Sequence, residues 1–316
     1  MGLNPPDATK NLSDNQMIPD RLLRTRAVLD AMGVSWEMVF ADDGSTDATP
    51  VILRRLNSED ARIGFVSLSR NFGKEIALTA GLDHARGQAV VVIDADLQDP
   101  PEVIPELVAR WREGYDVVFA QRTAREGETR LKKLTAYLFY RVINSLADRP
   151  IPPDVGDFRL MSRRAVDGLG LLRERHRFMK GLFAWVGFRQ IAVPYARAPR
   201  AAGTTKWNYW RLWNFSLEGI TSFSIRPLQF SAYFGIFVAT LAAIYGFYML
   251  FFTLFFGNPV AGYPSLFVAV LFMGGVQLMT LGIIGEYIGR IFNETKHRPL
   301  YLVAEVQPAR IDGFVK

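Results

Sequence analysis

Two aspartates and a glutamine are spaced as ligands for a metal ion. Asp94, Asp96 and Gln98 alternate along the chain directly after the apolar, β-branched run at residues 90–93. Such a run is typical of a buried strand, and alternate positions at its end lie on one side. Oxygen ligands suit a hard divalent cation that keeps positions open for phosphate oxygens. A turn with solvated acids is the alternative, but the full D-x-D-x-Q-x-P-P pattern favours a metal–diphosphate site.

A second acidic turn, D-D-G-S-T-D at residues 42–47, lies between a predicted strand and a predicted helix. Gly44 permits a tight turn, and Thr46 or Asp47 can cap the helix. A capped turn alone explains these residues. The functional alternative adds a carboxylate that accepts a hydrogen bond from a nucleotide base or a ribose hydroxyl.

Strands and helices are predicted to alternate through the first 120 residues. This alternation indicates an α/β fold with a mostly parallel sheet, in which sites lie at the carboxyl ends of strands. Both acidic motifs follow strands, so we expect them to share one crevice. The predicted strands are 36–41, 63–68, 89–93 and 116–120, and the predicted helices are 48–57, 73–85 and 103–114.

The amino-acid composition limits the reactions and partners that the protein can have. The 316 residues contain no cysteine, which excludes a disulfide framework and thiolate catalysis, and the three histidines lie far apart. The net charge is +6, and the sequence shows no nucleic-acid-binding motif. We therefore expect partners among anionic lipid headgroups and phosphate substrates rather than nucleic acid.

The second half of the chain is strongly apolar. No charged residue occurs between residues 227 and 285, and the stretches 228–256 and 263–285 are each long enough to span a bilayer. A buried hairpin of a soluble protein is a poorer explanation, because helices apolar all round need lipid. Basic residues flank the pair on both outer sides, which predicts two transmembrane helices with both termini in the cytoplasm.

Large apolar residues recur at three- and four-residue intervals just before the first span. This pattern predicts an amphipathic helix in the membrane interface, although packing against the preceding domain would produce the same stripe. The stripe comprises Trp207, Trp210, Trp213, Leu217 and Ile220.

Five motifs, in this order, resemble those of the polyprenyl-phosphate glycosyltransferases of glycosyltransferase family 2. The bactoprenol glucosyltransferases are the nearest group and the dolichyl-phosphate mannose synthases a more distant one. The motifs read D-D-G-S-T-D, L-S-R-N-F-G-K-E-I-A-L-T-A-G-L, D-A-D-L-Q-D-P-P-E, G-D-F-R-L-M-S-R and G-E-Y-I-G-R-I-F-N-E-T-K-H-R-P-L-Y.

The resemblance implies a GT-A-type nucleotide-sugar transferase domain at residues 1–200. An interfacial segment at 201–226, a two-helix transmembrane hairpin at 227–290 and a cytoplasmic tail at 291–316 would follow. The implied reaction is inverting transfer of a hexose, glucose from UDP-glucose, to undecaprenyl or another polyprenyl phosphate. It would take place at the cytoplasmic face of the inner (plasma) membrane. The resemblance leaves open whether the protein forms a homo-oligomer. Transfer of mannose or another sugar is the alternative within the family.

The resemblance also implies roles for individual residues. The basic run near residue 130 has a second explanation, a solvated helix face. The implied sets are Asp42, Asp43, Gly44, Lys74 and Asp94 at the nucleotide sugar; Asp94, Asp96 and Gln98 at Mg²⁺ or Mn²⁺; Arg122, Arg130, Lys132 and Lys133 at the acceptor phosphate; and Asp94, Asp96, Arg122 and Arg159 in catalysis.

The N-terminus departs from the family pattern. Relatives begin with an apolar strand that runs into P-V-Y-N-E, whereas residues 4–18 here are mostly polar and include Pro5 and Pro6. Such a segment cannot form a central strand, so we expect a poorly filled position beside the strand that ends near Asp43. A catalytically weak membrane scaffold is therefore a second hypothesis. A processive polysaccharide synthase is disfavoured, because the chain has no Q-x-x-R-W motif.

Overall fold

The computed structural model describes residues 2–3, 11–96, 98–123, 155–175, 177–196, 226–257 and 262–311. The chain forms two compact units, one of residues 1–216 with 299–316 and one of residues 217–298. The predicted interfacial stripe and the basic residues Arg130, Lys132 and Lys133 lie outside the described residues.

The first unit alternates strands and helices much as predicted. Helices separate most of the strands, and a 3₁₀ turn, Pro101–Val103, precedes the helix Ile104–Arg112. Its strands are β1 Gly2–Leu3, β2 Met38–Asp42, β3 Ile63–Leu68, β4 Ala89–Val92, β5 Val117–Arg122, β6 Val155–Ser162, β7 Gln190–Tyr195 and β8 Val303–Gln307; its helices are α1 Asn11–Ala31, α2 Thr49–Glu59, α3 Lys74–His84, α4 Ile104–Arg112, α5 Arg163–Gly170 and α6 Met179–Trp185.

Burial explains why these segments fold as they do. Every residue of β3 is buried, as expected for an interior strand without polar alternation. Phe40 on β2 and Phe65 on β3 pack with Leu53 of α2, and all three are almost fully buried. Burying side chains of this size stabilises the fold by about 1.5–3 kcal/mol each.

The strands form two mixed sheets, with the orders β1-β2-β3-β8 and β4-β6-β5-β7. The pairs β1–β2, β2–β3 and β5–β7 are parallel, but β3–β8, β4–β6 and β5–β6 are antiparallel. The prediction of a mostly parallel sheet is therefore wrong. It followed from helical crossovers between successive strands, whereas β6 inserts between β4 and β5 in the opposite direction and β8 pairs with β3 from the far end of the chain.

The N-terminus contributes a very short strand beside β2. Gly2 and Leu3 pair with Ala41 and Asp42 in parallel. Residues 38–40 of β2 have no strand on that side among the described residues. Among the described residues, this side of β2 thus has strand partners only at Ala41 and Asp42.

The second unit consists of the helices α7, Arg226–Phe256, and α8, Tyr263–Thr295. Within the described residues, one helix is long and apolar enough to cross a membrane, at Leu228–Phe256 with a mean hydropathy of 2.0. Its large side chains, including Phe247 and Leu254, are mostly exposed. The second predicted span stays a prediction.

The chain returns to the first unit after α8. Strand β8 pairs antiparallel with β3, and Glu305 forms an ion pair with Arg54, with 2.7 Å between Oε2 and Nη2. Arg310 donates through Nη2 to the carbonyl of Asn57 at 2.6 Å. The segment predicted as a cytoplasmic tail therefore completes a sheet of the first unit.

Candidate active site

The acidic loop after β4 is held in a fixed shape. The Oδ1 atom of Asp96 accepts a hydrogen bond from the backbone N–H of Gln98 at 3.1 Å. Asp99 is buried, and its carboxylate accepts a hydrogen bond of 2.5 Å from the hydroxyl of Tyr195 on β7. From α1, the buried Arg21 donates to the carbonyl of Asp99 at 2.6 Å. The loop is thereby anchored from two directions.

Lys74 joins two carboxylates at the centre of the site. Its Nζ atom lies 2.7 Å from Oδ2 of Asp94 and 2.7 Å from Oδ2 of Asp157. Burial opposes the ammonium charge, but Asp157 and Asp94 outweigh it and raise the pKa of Lys74. Because Lys74 is the first residue of α3, it reaches the ends of β4 and β6 at once.

The pKa values of Asp94 and Asp157 shift in opposite directions, although both carboxylates contact Lys74. Burial raises the pKa of Asp94, and the nearby Lys74 offsets this only in part. Burial acts on Asp157 in the same direction, but Lys74 and then Arg159 hold its pKa below the usual range. The sequence did not single out Asp157, although it lies inside the G-D-F-R-L-M-S-R motif. The site therefore contains one firmly ionised carboxylate and one that is easier to protonate.

Arg159 is a buried side chain next to the site. Its Nη2 atom donates to the carbonyl of Gly156 at 2.8 Å, and its guanidinium carbon lies 3.6 Å from the ring centroid of Phe183. Burial lowers the pKa of Arg159 to about 10, although Asp157 acts against this. The guanidinium of Arg159 in turn helps to keep the nearby carboxylate of Asp157 ionised.

Arg122 is brought to the same site at the end of β5. Its Nε atom donates to the hydroxyl of Tyr195 at 3.4 Å. Burial opposes its charge, but the pKa of Arg122 is raised through Tyr195, Asp99 and Asp94. A side chain at Gly156 would meet the end of Arg122, with 2.9 Å from its Cβ to Nη2. Arg122 is the predicted phosphate ligand that the described structure places near the acidic loop.

The first two aspartates of the D-D-G-S-T-D turn, Asp42 and Asp43, form different hydrogen bonds. Both carboxylate oxygens of Asp43 accept backbone hydrogen bonds, from Phe72 at 2.7 Å and from Gly73 at 2.9 Å. Burial still raises the pKa of Asp43. One oxygen of Asp42 accepts from the N–H of Ser45, whereas its buried Oδ2 has no hydrogen-bond partner among the described residues. Asp42 therefore has an oxygen that accepts no bond among the described residues, whereas each oxygen of Asp43 already accepts one.

Gly44 is required by the same turn. Its φ of 67° lies in the left-handed region, and a Cβ there would collide with the backbone of Arg70. The close approach of the two backbones brings the D-D-G turn against the loop that precedes Lys74. The predicted nucleotide-sugar residues Asp42, Asp43, Gly44, Lys74 and Asp94 thus belong to neighbouring loops.

The acidic loop offers some, but not all, of the ligands that a divalent cation needs. Among the described residues, no group of three His, Cys, Asp or Glu side chains is close enough to hold a metal ion. Asp94 already binds Lys74, which leaves the carboxylate of Asp96 and the side chain of Gln98 as oxygen donors. Mg²⁺ is commonly held by one or two carboxylates together with substrate phosphates. A bound ion would therefore need ligands from the donor diphosphate.

Glu75 makes the stability of the fold depend on pH. Burial, reinforced by the charge of Asp157, raises the pKa of Glu75 to about 7, from an ordinary 4.5. The folded state therefore favours the protonated form, and this stabilising contribution is lost as the pH rises through about 7. A shift of this size corresponds to at most about 3 kcal/mol.

Replacing Glu75 with glutamine is expected to stabilise the protein relative to the wild type, and to do so more at pH 8 than at pH 5. Glutamine keeps the oxygen that accepts from the N–H of Met179, 3.2 Å away from Glu75 Oε2, and it cannot ionise. The measurement is the unfolding temperature in detergent at both pH values. The matched control is Glu106→Gln on α4. An equal difference between mutant and wild type at both pH values would show that Glu75 does not titrate in this range.

Comparisons with known proteins found two family models that match this chain. Residues 15–170 match the family model "Glycosyl transferase family 2", and residues 226–291 match the "GtrB C-terminal hairpin". The chain is 53% identical over 283 residues to an uncharacterized glycosyltransferase of Synechocystis sp., covering 90% of this chain and 89% of the relative.

Two further relatives have names that state an activity. The bactoprenol glucosyl transferase of Shigella phage SfV is 54% identical over 84% of this chain and 87% of its own length. The prophage bactoprenol glucosyl transferase homolog of Escherichia coli is 48% identical over 93% of this chain and 96% of its own.

Proposed function

Because the chain belongs to glycosyltransferase family 2, we propose that it transfers glucose from UDP-glucose to a polyprenyl phosphate, with inversion at the sugar carbon. The names of the relatives from Shigella phage SfV and Escherichia coli support this lipid and this sugar. The observation that carries the proposal is the contact of Lys74 with both Asp94 and Asp157, beside the acidic loop.

The residues at this site suit a reaction that needs positioning and charge stabilisation. A polyprenyl phosphate is ionised near pH 7, so its oxygen can attack without a strong general base. Arg122 offers a guanidinium for the acceptor phosphate, which arginine binds through two parallel hydrogen bonds. Lys74 orients Asp94 and Asp157 and lowers the net negative charge that the donor diphosphate meets.

We also propose that Asp96 and Gln98 hold Mg²⁺ or Mn²⁺, with Asp94 at the edge of that site. Such an ion would supply a Lewis acid to neutralise the departing diphosphate. Asp42 is proposed to accept a hydrogen bond from the base or ribose of the nucleotide through its unpaired Oδ2.

The nucleotide can be tested by binding. UDP-glucose and UDP should bind the purified full chain in detergent, measured by calorimetry with Mn²⁺, and GDP-mannose should compete weakly. Asp42→Asn should weaken binding of the nucleotide, whereas the exposed control Asp20→Asn should not. Preferential binding of GDP-mannose would replace glucose with mannose in the proposal.

The second unit is proposed to cross the membrane twice. Strands β7 and β8 belong to the same unit, one before α7 and one after α8. A folded unit occupies one side of a membrane, so the intervening chain must cross an even number of times. If α7 crosses, α8 must cross back, and basic residues on both outer sides place that unit and both termini in the cytoplasm.

Single cysteines can test this topology, because the chain contains none. A cysteine in place of Asn258 should react with an impermeant thiol reagent in intact cells. One in place of Lys316 should react only after lysis. Labelling of the Lys316 site in intact cells, with protection of the Asn258 site, would contradict the proposed orientation.

A catalytically weak membrane scaffold remains the second candidate. A cavity of about 560 Å³ between β2 and β4 favours it, because β2 leads directly into the D-D-G turn. Donor hydrolysis or transfer by purified protein separates the two candidates. Bound nucleotide without turnover, in the presence of Mn²⁺ and lipid phosphate, would support the scaffold.

A further inference from the structure

Lys180 is a partly exposed lysine beside the candidate active site, and it forms no ion pair or hydrogen bond with the described residues. It lies in the first turn of α6, directly after Met179, whose backbone N–H donates to Oε2 of Glu75 at 3.2 Å. Lys74, by contrast, lies 2.7 Å from each of two carboxylates. Lys180 therefore carries an ammonium charge that no carboxylate of the described chain contacts.

Arg122 is a second cation without an ion pair among the described residues. Its Nε atom donates to the hydroxyl of Tyr195, and that hydroxyl donates in turn to Asp99. Tyr195 thus stands between the guanidinium and the carboxylate of the acidic loop. The charge of Arg122 is held in place by a neutral hydroxyl and stays available to an anion.

The backbone brings Lys180 to the strand ends that carry Arg122. Lys180, Phe119 of β5 and Val155 of β6 line one narrow cavity. Val155 lies opposite Gln121, which is the residue before Arg122. Lys180 and Arg122 therefore lie at the same end of the β5–β6 pair, although nearly sixty residues separate them in sequence.

The positive charges around Lys180 make its position unfavourable without a ligand. Burial lowers the pKa of Lys180, although the charges of Asp157 and Glu75 oppose this shift. The positive charges of Arg122 and Arg159 add to it. Partly buried cations that repel each other are stabilised when an anion joins them. The arrangement fits a ligand with more than one negative charge.

We propose that Lys180 and Arg122 together bind the phosphate of the lipid acceptor. A phosphate monoester carries a charge of about −1.5 to −2 near pH 7, which two cations can balance. Arginine offers a planar fork and lysine a compact charge on a flexible stem, so the two can contact different oxygens of one phosphate. This role rests on the proposed function, which supplies a lipid phosphate as the acceptor.

The test measures equilibrium binding of labelled undecaprenyl phosphate to the purified full chain in detergent, without a sugar donor. Lys180→Met should weaken binding by about tenfold or more, the scale of losing a hydrogen bond to a charged group. Lys180→Arg keeps the charge and should bind within about threefold of the wild type. The matched control Arg55→Met removes an exposed cation from α2 and should leave binding unchanged.

Two further measurements on Lys180→Met distinguish acceptor binding from other roles. Binding of UDP-glucose should equal that of the wild type, and a loss confined to UDP-glucose would assign Lys180 to the donor diphosphate and overturn the proposal. The unfolding temperature should stay the same or rise, since methionine leaves no unpaired charge at this position. A lower unfolding temperature with unchanged binding of the lipid would show that Lys180 serves the fold instead.

The wild-type protein separates a failure of this inference from a failure of the proposed function. If the wild type does not bind undecaprenyl phosphate, the proposed acceptor is wrong, and so is the role of Lys180. If the wild type binds the lipid and Lys180→Met binds it equally well, only the role of Lys180 is overturned.

Discussion

Asp96→Asn is expected to reduce glucosyl transfer by at least about a hundredfold, the usual scale for losing a main electrostatic stabiliser. The carboxylate of Asp96 keeps one oxygen beyond the bond from Gln98, and Asp94 is engaged with Lys74. Asparagine retains the turn but removes the negative charge that a divalent cation requires. The measurement is the initial rate of lipid-linked product formation at saturating Mg²⁺ or Mn²⁺.

The matched control for Asp96→Asn is Glu102→Gln. Glu102 follows the same loop, but its carboxylate forms an exposed ion pair with Arg24, 2.9 Å away. Exposed pairs of this kind contribute about 0–1 kcal/mol, so the control should keep nearly full activity. Transfer by Asp96→Asn near the wild-type rate would remove the metal role from this loop.

Lys74→Met is expected to lower both activity and stability. It leaves Asp94 and Asp157 near each other without the ammonium that joins them. Transfer should fall by about a hundredfold, and the unfolding temperature should also fall, because removal of one partner leaves a buried charge uncompensated. The measurements are initial rates and thermal unfolding at pH 7.5.

A double-mutant cycle separates the two effects. Adding Asp157→Asn to Lys74→Met removes one unpaired carboxylate, so the double mutant should be more stable than Lys74→Met alone yet keep its low rate of transfer. Asp157→Asn alone should fold stably, because Lys74 keeps its contact with Asp94. Additive losses of stability from the two substitutions would show that Lys74 and Asp157 do not interact.

Local patterns in the sequence predicted the elements whose pairing is local. Strand β3 was predicted at its observed bounds, 63–68, because its apolar run is flanked by clear turn signals. The antiparallel insertion of β6 was not predictable in this way, because strand order depends on contacts between distant segments. The return of β8 to β3 has the same origin, since some 240 residues separate the paired strands.

The candidate site was predicted in its residue types better than in their roles. Lys74 contacts Asp94, and Asp94 interacts electrostatically with Asp96 and Arg122, but the roles predicted for these residues stay predictions. The pairing of Lys74 with Asp157 had no sequence signal, because it joins the first turn of α3 to β6 across the fold. The hydrogen bonds from Phe72 and Gly73 to Asp43 distinguish it from Asp42, which keeps an oxygen without a partner among the described residues, and the sequence D-D-G does not reveal them.

The most direct test of the central claim is transfer of labelled glucose from UDP-glucose to undecaprenyl phosphate by the purified full chain with Mn²⁺. The product should be a β-linked glucosyl phosphate lipid, as inversion of the α-linked donor requires. Asp96→Asn should form at most about a hundredth as much of this product in the same detergent. No lipid product from a wild-type protein that binds UDP-glucose, or an α-linked product, would contradict the proposed reaction.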